Sequence, residues 1–580
     1  MVYDVPVSKG SGAVHVARIV RKYKDREYVS HLLRRTYREG GKIRHETLGN
    51  ISALPDATIE AVKASLAGKT LVAVGEAAVI ERSLPHGHVA AVWAQAKALG
   101  LAGLLGPPCA KRDLAMALIV ARVARPGSKL ATARWWADTT MGVDVGVADA
   151  SSDDVYAAMD WLVGRQDRIE AGLAKRHLTP GGMVMFDLSS SWMEGTTCPL
   201  AKRGYSRDHK GGKLQIEYGL MTDADGRPVA VEVFAGNTAD PTAFIAAVDK
   251  VKDRFALSGV IMVGDRGMIT SARIAAIKDL GGLDWISALR APDIKKLATD
   301  GVLQLSLFDE ANLAEISHPD FPDERLIACK NPALADMRAA KRVELLAATE
   351  ALLEPIKASV EAGRLVGADK IGVRVGKVVG RHKMAKHFTV TISDDTISWE
   401  RNTEAIDAEA ALDGIYVIRT SVKSQRLDAP GVVSAYKDLA KVERDFRNIK
   451  AIDLDLRPNY HRLEDRVRAH VLICMLAAYI AWHLRKAWAP LTFTDETPPT
   501  RTDPVAPARR SPAATAKAST RADDQTRPVR SFTGVLDHLA TLTRNTTRIA
   551  GTTIDILATP TTLQRRAFEL IGVAIPTTIT

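Results

Sequence analysis

Cysteine is scarce: the 580-residue chain has four, Cys109, Cys198, Cys329 and Cys474, and none forms a CxxC pair. This argues against a zinc ribbon or a redox dithiol and fits a reducing compartment. Long apolar runs are equally rare. The most apolar, VLICMLAAYIAW at 471–482, is about a dozen residues, short of the roughly 20 that span a bilayer, and reads as a buried core helix. The opening MVYDVPVSKGSG lacks the apolar segment of a signal peptide. No heptad repeat identifies a coiled-coil interface. The expectation is a cytoplasmic chain with no membrane partner.

What the chain does have is basic charge, concentrated at its ends. The net charge is +11. Residues 1–50 hold 11 Lys/Arg against 5 Asp/Glu, and residues 501–530 hold 7 against 3. The two segments carry nearly all of the excess, as basic arms on a globular body would, and suggest a polyanionic partner.

The length predicts about three to four domains. Residues 1–56 read as strands, with a Gly40-Gly41 turn between two half-basic runs: either a hairpin that contacts DNA or a charged edge strand. Residues 57–178 carry helical periodicity, although no sharp motif marks a helix-turn-helix. At 179–275 the pattern becomes strand, hairpin, helix, strand, which predicts an α/β layer on a mixed sheet. Residues 276–412 read as an interruption with helical stretches and strand-like ones such as KIGVRVGKVVG, and 413–490 return to the core. Residues 491–530, rich in Pro, Thr, Ala and Arg, predict a disordered basic linker. Residues 531–580 are weakly patterned, and no role is assigned to them.

Three acids could do chemistry. Asp187 follows MVMF and Asp265 follows VIMVG. Both read as carboxylates at strand ends, where a rigid scaffold meets solvent; the plainer alternative is two turn aspartates. Glu443 lies in SAYKDLAKVERDFRNIK (434–450), where Leu439, Val442, Phe446 and Ile449 form the buried stripe of a helix. Tyr436, Glu443 and Lys450, seven apart, then stack on one side. The alternative for Glu443 is an ordinary surface acid paired with Lys437, Arg447 or Lys450. Three carboxylates together suit two Mg2+ ions, which serve in-line phosphoryl displacement. Lys437, Lys441, Arg444, Arg447 and Lys450 would then face DNA phosphates. Asp240, before PTAFIAAV, reads as a helix cap.

Tyr436, Leu439, Glu443 and Lys450 fall in a Y-x2-L-x3-E-x6-K pattern. It resembles the Y-x2-R-x3-E-x6-K signature of DDE transposases of the insertion-sequence-four-like superfamily, long-insertion subgroup. FDLSSSWMEG, GYSRDHKGGKLQIEYGL, PVAVEVFAGNTAD, VGDRGM, ALDGIYVIRTS and the stretch after Glu443 resemble that family in order, from about residue 15 to 485. The resemblance implies an RNase H-like catalytic core, a mixed sheet with flanking helices, interrupted by a β-rich insertion domain. It implies Asp187, Asp265 and Glu443 as catalytic metal ligands for two Mg2+ ions, with Mn2+ able to substitute. Tyr436 and Lys450 carry over as DNA contacts, joined as candidates by Arg266, Lys441, Arg444, Arg447 and Trp399. Trp399 and Trp192 are candidates for stacking on a flipped base, with ordinary packing as the alternative. Leu439 departs from the signature's Arg.

The implied reaction is cleavage at inverted-repeat ends and joining of the 3'-OH to target DNA, by cut-and-paste. Its partners would be double-stranded element ends and target DNA, and it would act as a homodimer or higher oligomer in the bacterial cytosol at the nucleoid. Two alternatives stay open: a catalytically silent DNA-binding regulator, and an RNase H-like nuclease without strand transfer.

Overall fold

The computed structural model describes residues 12–24, 26–69, 78–270, 274, 282–304, 308–309, 312–500, 503–549 and 552–579. The chain divides into two compact units, Met1–Ser83 with Arg544–Ala558, and Leu84–Thr543 with Thr559–Thr580.

In the first unit β1 (Ala13–Tyr23), β2 (Arg26–Glu39) and β3 (Lys42–Asn50) form an antiparallel sheet. Gly40 and Gly41 both take positive φ, which a two-residue turn matched to strand twist requires. The helix Asp56–Leu66 buries Ile59. A second sheet joins β4 (Ala78–Pro85) to the C-terminal hairpin, strands Thr543–Ile549 and Thr552–Leu557 (β15 and β16 in chain order). Residues 57–178 are therefore not one helical domain, and 531–580 are shared between the two units.

The second unit is a mixed α/β structure. β5 (Met183–Trp192), β6 (Gln215–Asp223) and β7 (Pro228–Ala235) run antiparallel, and β8 (Val260–Val263) and β9 (Leu283–Ala288) continue the sheet in parallel from β5. The order β7-β6-β5-β8-β9 is extended antiparallel by β14 (Ile415–Thr420), β11 (Arg325–Lys330) and β10 (Leu313–Ile316). The central strands are buried on both faces, hence their near-continuous apolar runs. One core spans this sheet, the helices of 87–177 and the helix Glu464–Ala487. These helices thus cover the sheet and do not form a separate domain. Among the described residues Glu464–Ala487 is the one helix long and apolar enough to cross a membrane, yet 83% of its apolar window is buried in the fold.

Gly219 of β6 is fixed by a close approach: a methyl there would overlap the edge of the Phe186 ring and lie 3.2 Å from Leu188 Cδ2. Phe186 has little room to yield, being buried against Phe244. Gly219→Ala is expected to cost about 1–3 kcal/mol, seen as a lower urea midpoint at constant m. An unchanged midpoint would mean that Phe186 moves freely.

The interruption is narrower and more helical than its composition implies. β9, β10 and β11 belong to the main sheet. The excursion begins and ends at a neck where Asn331 N–H donates to Gly414 O at 2.9 Å. It contains the helices Pro332–Glu361, Ala368–Arg381 and Thr403–Ala410, and one hairpin of β12 (Phe388–Ile392) and β13 (Ile397–Arg401). The expected β-rich domain is thus mainly helical. KIGVRVGKVVG is a helix because Ile371 and Val375, four apart, share its buried face, a spacing that outweighs the β preference of the valines.

Residues 503–530, expected to be disordered, are ordered. Val505 is fully buried, and its carbonyl accepts from Lys437 Nζ at 2.6 Å. Ser511 caps the helix Pro512–Thr520 and is itself held by Asp495. Polar anchoring replaces the apolar burial that the composition lacks.

Candidate functional site

Asp187 lies in the middle of β5, not at its end, paired in register with Leu220 of β6. Its Oδ1 accepts from Leu188 N–H at 2.8 Å. Burial pushes its carboxyl up to about 7; the Leu188 hydrogen bond opposes this, and the charges of Asp265 and Glu443 add to it. Asp265 follows β8 after Gly264, in the turn that closes when Met268 N–H donates to its carbonyl at 3.0 Å. The Tyr436 hydroxyl donates to Asp265 Oδ1 at 3.3 Å. Burial, and then the Asp265 charge, hold that phenol above its usual range.

Glu443 is exposed on the helix Leu439–Arg447, whose buried face is Leu439, Val442 and Phe446 as the periodicity predicts. The helix is not continuous with Tyr436. The preceding helix, Ala429–Lys437, ends before Asp438, and a wider turn, Asn448–Ile452, follows. Tyr436, Glu443 and Lys450 therefore do not share one straight face. Three of the lysines that could have neutralised Glu443 are engaged elsewhere. Lys437 binds Val505 O, Lys441 Nζ binds Ala224 O at 2.9 Å, and Lys450 Nζ pairs with Asp208 Oδ1 at 2.9 Å. Among the described residues no ion pair joins Glu443 to a basic side chain.

All three acids line one cleft of about 730 Å3, with Arg207, Arg266 and Tyr436 beside them. The neck residues Asn331 and Ile415 form part of its wall. Arg207 is a residue that sequence reasoning missed. It bonds Asp240 at 2.5 Å and stands 3.4 Å from Glu217, so Asp240 orients an arginine and does not cap its helix. The only signal was its place in GYSRDHK. Among the described residues no three His, Cys, Asp or Glu side chains stand at metal-ligating distance of one another. The acids face a common space without meeting in it. Their chemistry still fits a hard divalent cation: all donors are carboxylate oxygens, and a cation among them would offset the burial and the like charges that push Asp187 up.

The remaining DNA-contact candidates divide. Arg266 lines the cleft, and Arg444 and Lys441 line a separate hollow with Trp482. Arg447 is exposed. Lys450 is buried, its ammonium spent on Asp208, which also receives Arg457. Trp399 packs on the core of the excursion with Lys357 at 5.7 Å over its ring. Trp192 lies under Arg457 and Lys210, at 5.2 and 5.6 Å.

The family model for the transposase DDE domain matches residues 191–480, half of the chain, and that for the IS1634 family transposase N-terminal domain matches residues 16–75. The chain belongs to the DDE transposases. The transposase is accordingly an enzyme that cleaves DNA and transfers strands, of an insertion-sequence family whose domains use divalent metal ions. The DDE match takes in Asp265 and Glu443 and begins four residues after Asp187. No curated protein matches the chain. Among solved structures it is similar to a piggyBac transposase synaptic complex with hairpin DNA, at 9% identity and a TM-score of 0.33, covering 74% of this chain and 70% of that one.

Proposed function

We propose that the transposase cuts at the inverted-repeat ends of its element and joins the freed 3'-OH to target DNA, with Asp187, Asp265 and Glu443 as the ligands of two Mg2+ ions. The carrying observation is that these three carboxylates, from β5, the end of β8 and the helix Leu439–Arg447, line one cleft. The β7-β6-β5-β8-β9 order, with one acid on β5 and one just past the end of β8, supports an RNase H-like core. Bound there, the cations supply charge stabilisation to the attacking and leaving oxygens of an in-line displacement. The chain's own residues prepare the site. Asp187 gives up its proton to become a ligand, Tyr436 orients Asp265, and Arg207 and Arg266 offer positive charge to a phosphate entering the cleft. Work on both ends of an element implies a homodimer or higher oligomer on double-stranded DNA.

The test places the gene with its native flanking DNA on a donor plasmid, beside an Asp265→Asn copy, and scores excision and insertion in cells. Movement that disappears in the variant is expected. Wild-type protein that binds the flanks yet moves nothing would overturn the reading in favour of a silent regulator. Cut flanks without joined products would favour a nuclease.

A further inference from the structure

Away from the three acids, a pocket of about 320 Å3 opens between the start of the helix Lys129–Ala137 and the segment after the Glu443 helix. Its wall is cationic to an extent the fold does not balance. Arg122 and Lys129 are 4% and 6% exposed, and His470 is 5%. Arg122 Nη1 donates only to a backbone carbonyl, that of Leu454, at 3.3 Å. The Lys129 ammonium lies 2.7 Å from His470 Nδ1, and His470 Nε2 donates to Leu456 O at 3.2 Å, which fixes that imidazole as neutral. His461 stands over His470 with ring centroids 5.3 Å apart.

Among the described residues neither Arg122 nor Lys129 has an acid partner. The charges acting on His461 are those of Lys129, Arg122 and Arg466, all positive. Burial, and then the Arg122 charge, hold the Lys129 amine well below its ordinary range, so the empty fold bears the cost of two buried basic groups with no acid beside them. At the mouth stand exposed Tyr460 and Leu130, together with Asp455 and Arg457. The first turn of the helix Lys129–Ala137 borders the pocket through Ser128 and Lys129, adding the positive end of a helix to the same space.

We infer that this pocket binds a phosphate oxyanion, with Lys129 and Arg122 as its cationic floor and Tyr460 at its rim. The shared chemistry is that of anionic phosphate oxygens, from the backbone of bound DNA or from a free phosphate. Arg457 gives the pocket a physical link to the cleft: it also reaches Asp208 and Trp192, and Arg207, next in sequence to Asp208, lines the catalytic cleft.

The test uses the full chain in EDTA, so that metal binding and cleavage play no part and failure of the catalytic reading does not affect it. Thermal melting is recorded in chloride, in inorganic phosphate at matched ionic strength, and with a short DNA duplex, for wild type and Lys129→Met. Wild type is expected to melt higher with phosphate or duplex than in chloride. Lys129→Met is expected to melt higher than wild type without ligand, having lost a costly charge, and to lose the ligand shift. Its duplex affinity should fall about tenfold, with the salt slope lower by about 1. A shift produced by duplex alone assigns the phosphate to the DNA backbone, and one produced by inorganic phosphate assigns it to a free ligand. Equal shifts in wild type and variant, or a wild type that responds to neither probe beyond chloride, overturn the inference. If the variant fails to melt cooperatively, the wild-type comparison of phosphate with chloride decides alone.

Discussion

Asp187→Asn will abolish cleavage and, at pH 8, raise the melting temperature of the metal-free protein. The two effects share one cause. The folded carboxyl titrates near 7 because it is buried beside two other acids, whereas in the unfolded chain it titrates near its ordinary value, about 4. Between these values the folded state binds the extra proton, so folding stability falls as pH rises through the window and stays lowered above it. Asn keeps the acceptor for Leu188 N–H and carries no charge. The stability gain should therefore be full above pH 7 and vanish below about pH 4. Cleavage should drop by about a thousandfold or more, since a metal ligand that stabilises the reacting oxygens is worth several kcal/mol. Added Mg2+ should raise the melting temperature of wild type and not of the variant. A variant that melts lower than wild type at pH 8, or one that still cleaves, contradicts the assignment.

That desolvated carboxylate also marks how far the sequence could be read. Asp265 was legible because VIMVG is short, apolar and followed by an acid, and β8 stops two residues before that acid. Asp187 was legible as an acid on a buried strand but not as a mid-strand one, since LSSSW does not look apolar although Ser190 and Ser191 are fully buried. The stripe of Leu439, Val442 and Phe446 fixed the buried face of the Glu443 helix. Spacing alone left open whether Glu443 pairs with its basic neighbours, because the partners of two of them lie far away in sequence: Val505 for Lys437 and Asp208 for Lys450. Arg207 was hidden for the same reason, its role resting on Asp240 and Glu217. The strands β10 and β11 were read as part of an interruption because an antiparallel extension of a sheet leaves no local signature. Long-range polar pairing, more than apolar pattern, is what one sequence conceals.

Lys450→Ala is the sharpest case of such concealment, and its expected effect is loss of the fold around the site more than loss of a DNA contact. Lys450 Nζ and Arg457 both converge on Asp208, whose side chain is 1% exposed. Removing Lys450 leaves Asp208 to Arg457 alone, and the loss of a buried hydrogen bond between charged groups costs about 1.5–3 kcal/mol. Asp208 tethers the segment between β5 and β6 that also presents Arg207 to the cleft, so the damage should reach catalysis through position. A double variant, Asp208→Asn with Lys450→Ala, removes both buried charges and should recover much of the lost stability, because the ion left behind, Arg457, has a side chain 27% exposed and can reach solvent. Urea unfolding of the wild type, both single variants and the double variant measures this coupling. If Lys450 were instead a surface contact to phosphate, Lys450→Ala would leave the urea midpoint unchanged and lower only DNA affinity and its salt slope. The two accounts therefore differ in which measurement moves, and a midpoint that stays put would return Lys450 to the DNA interface.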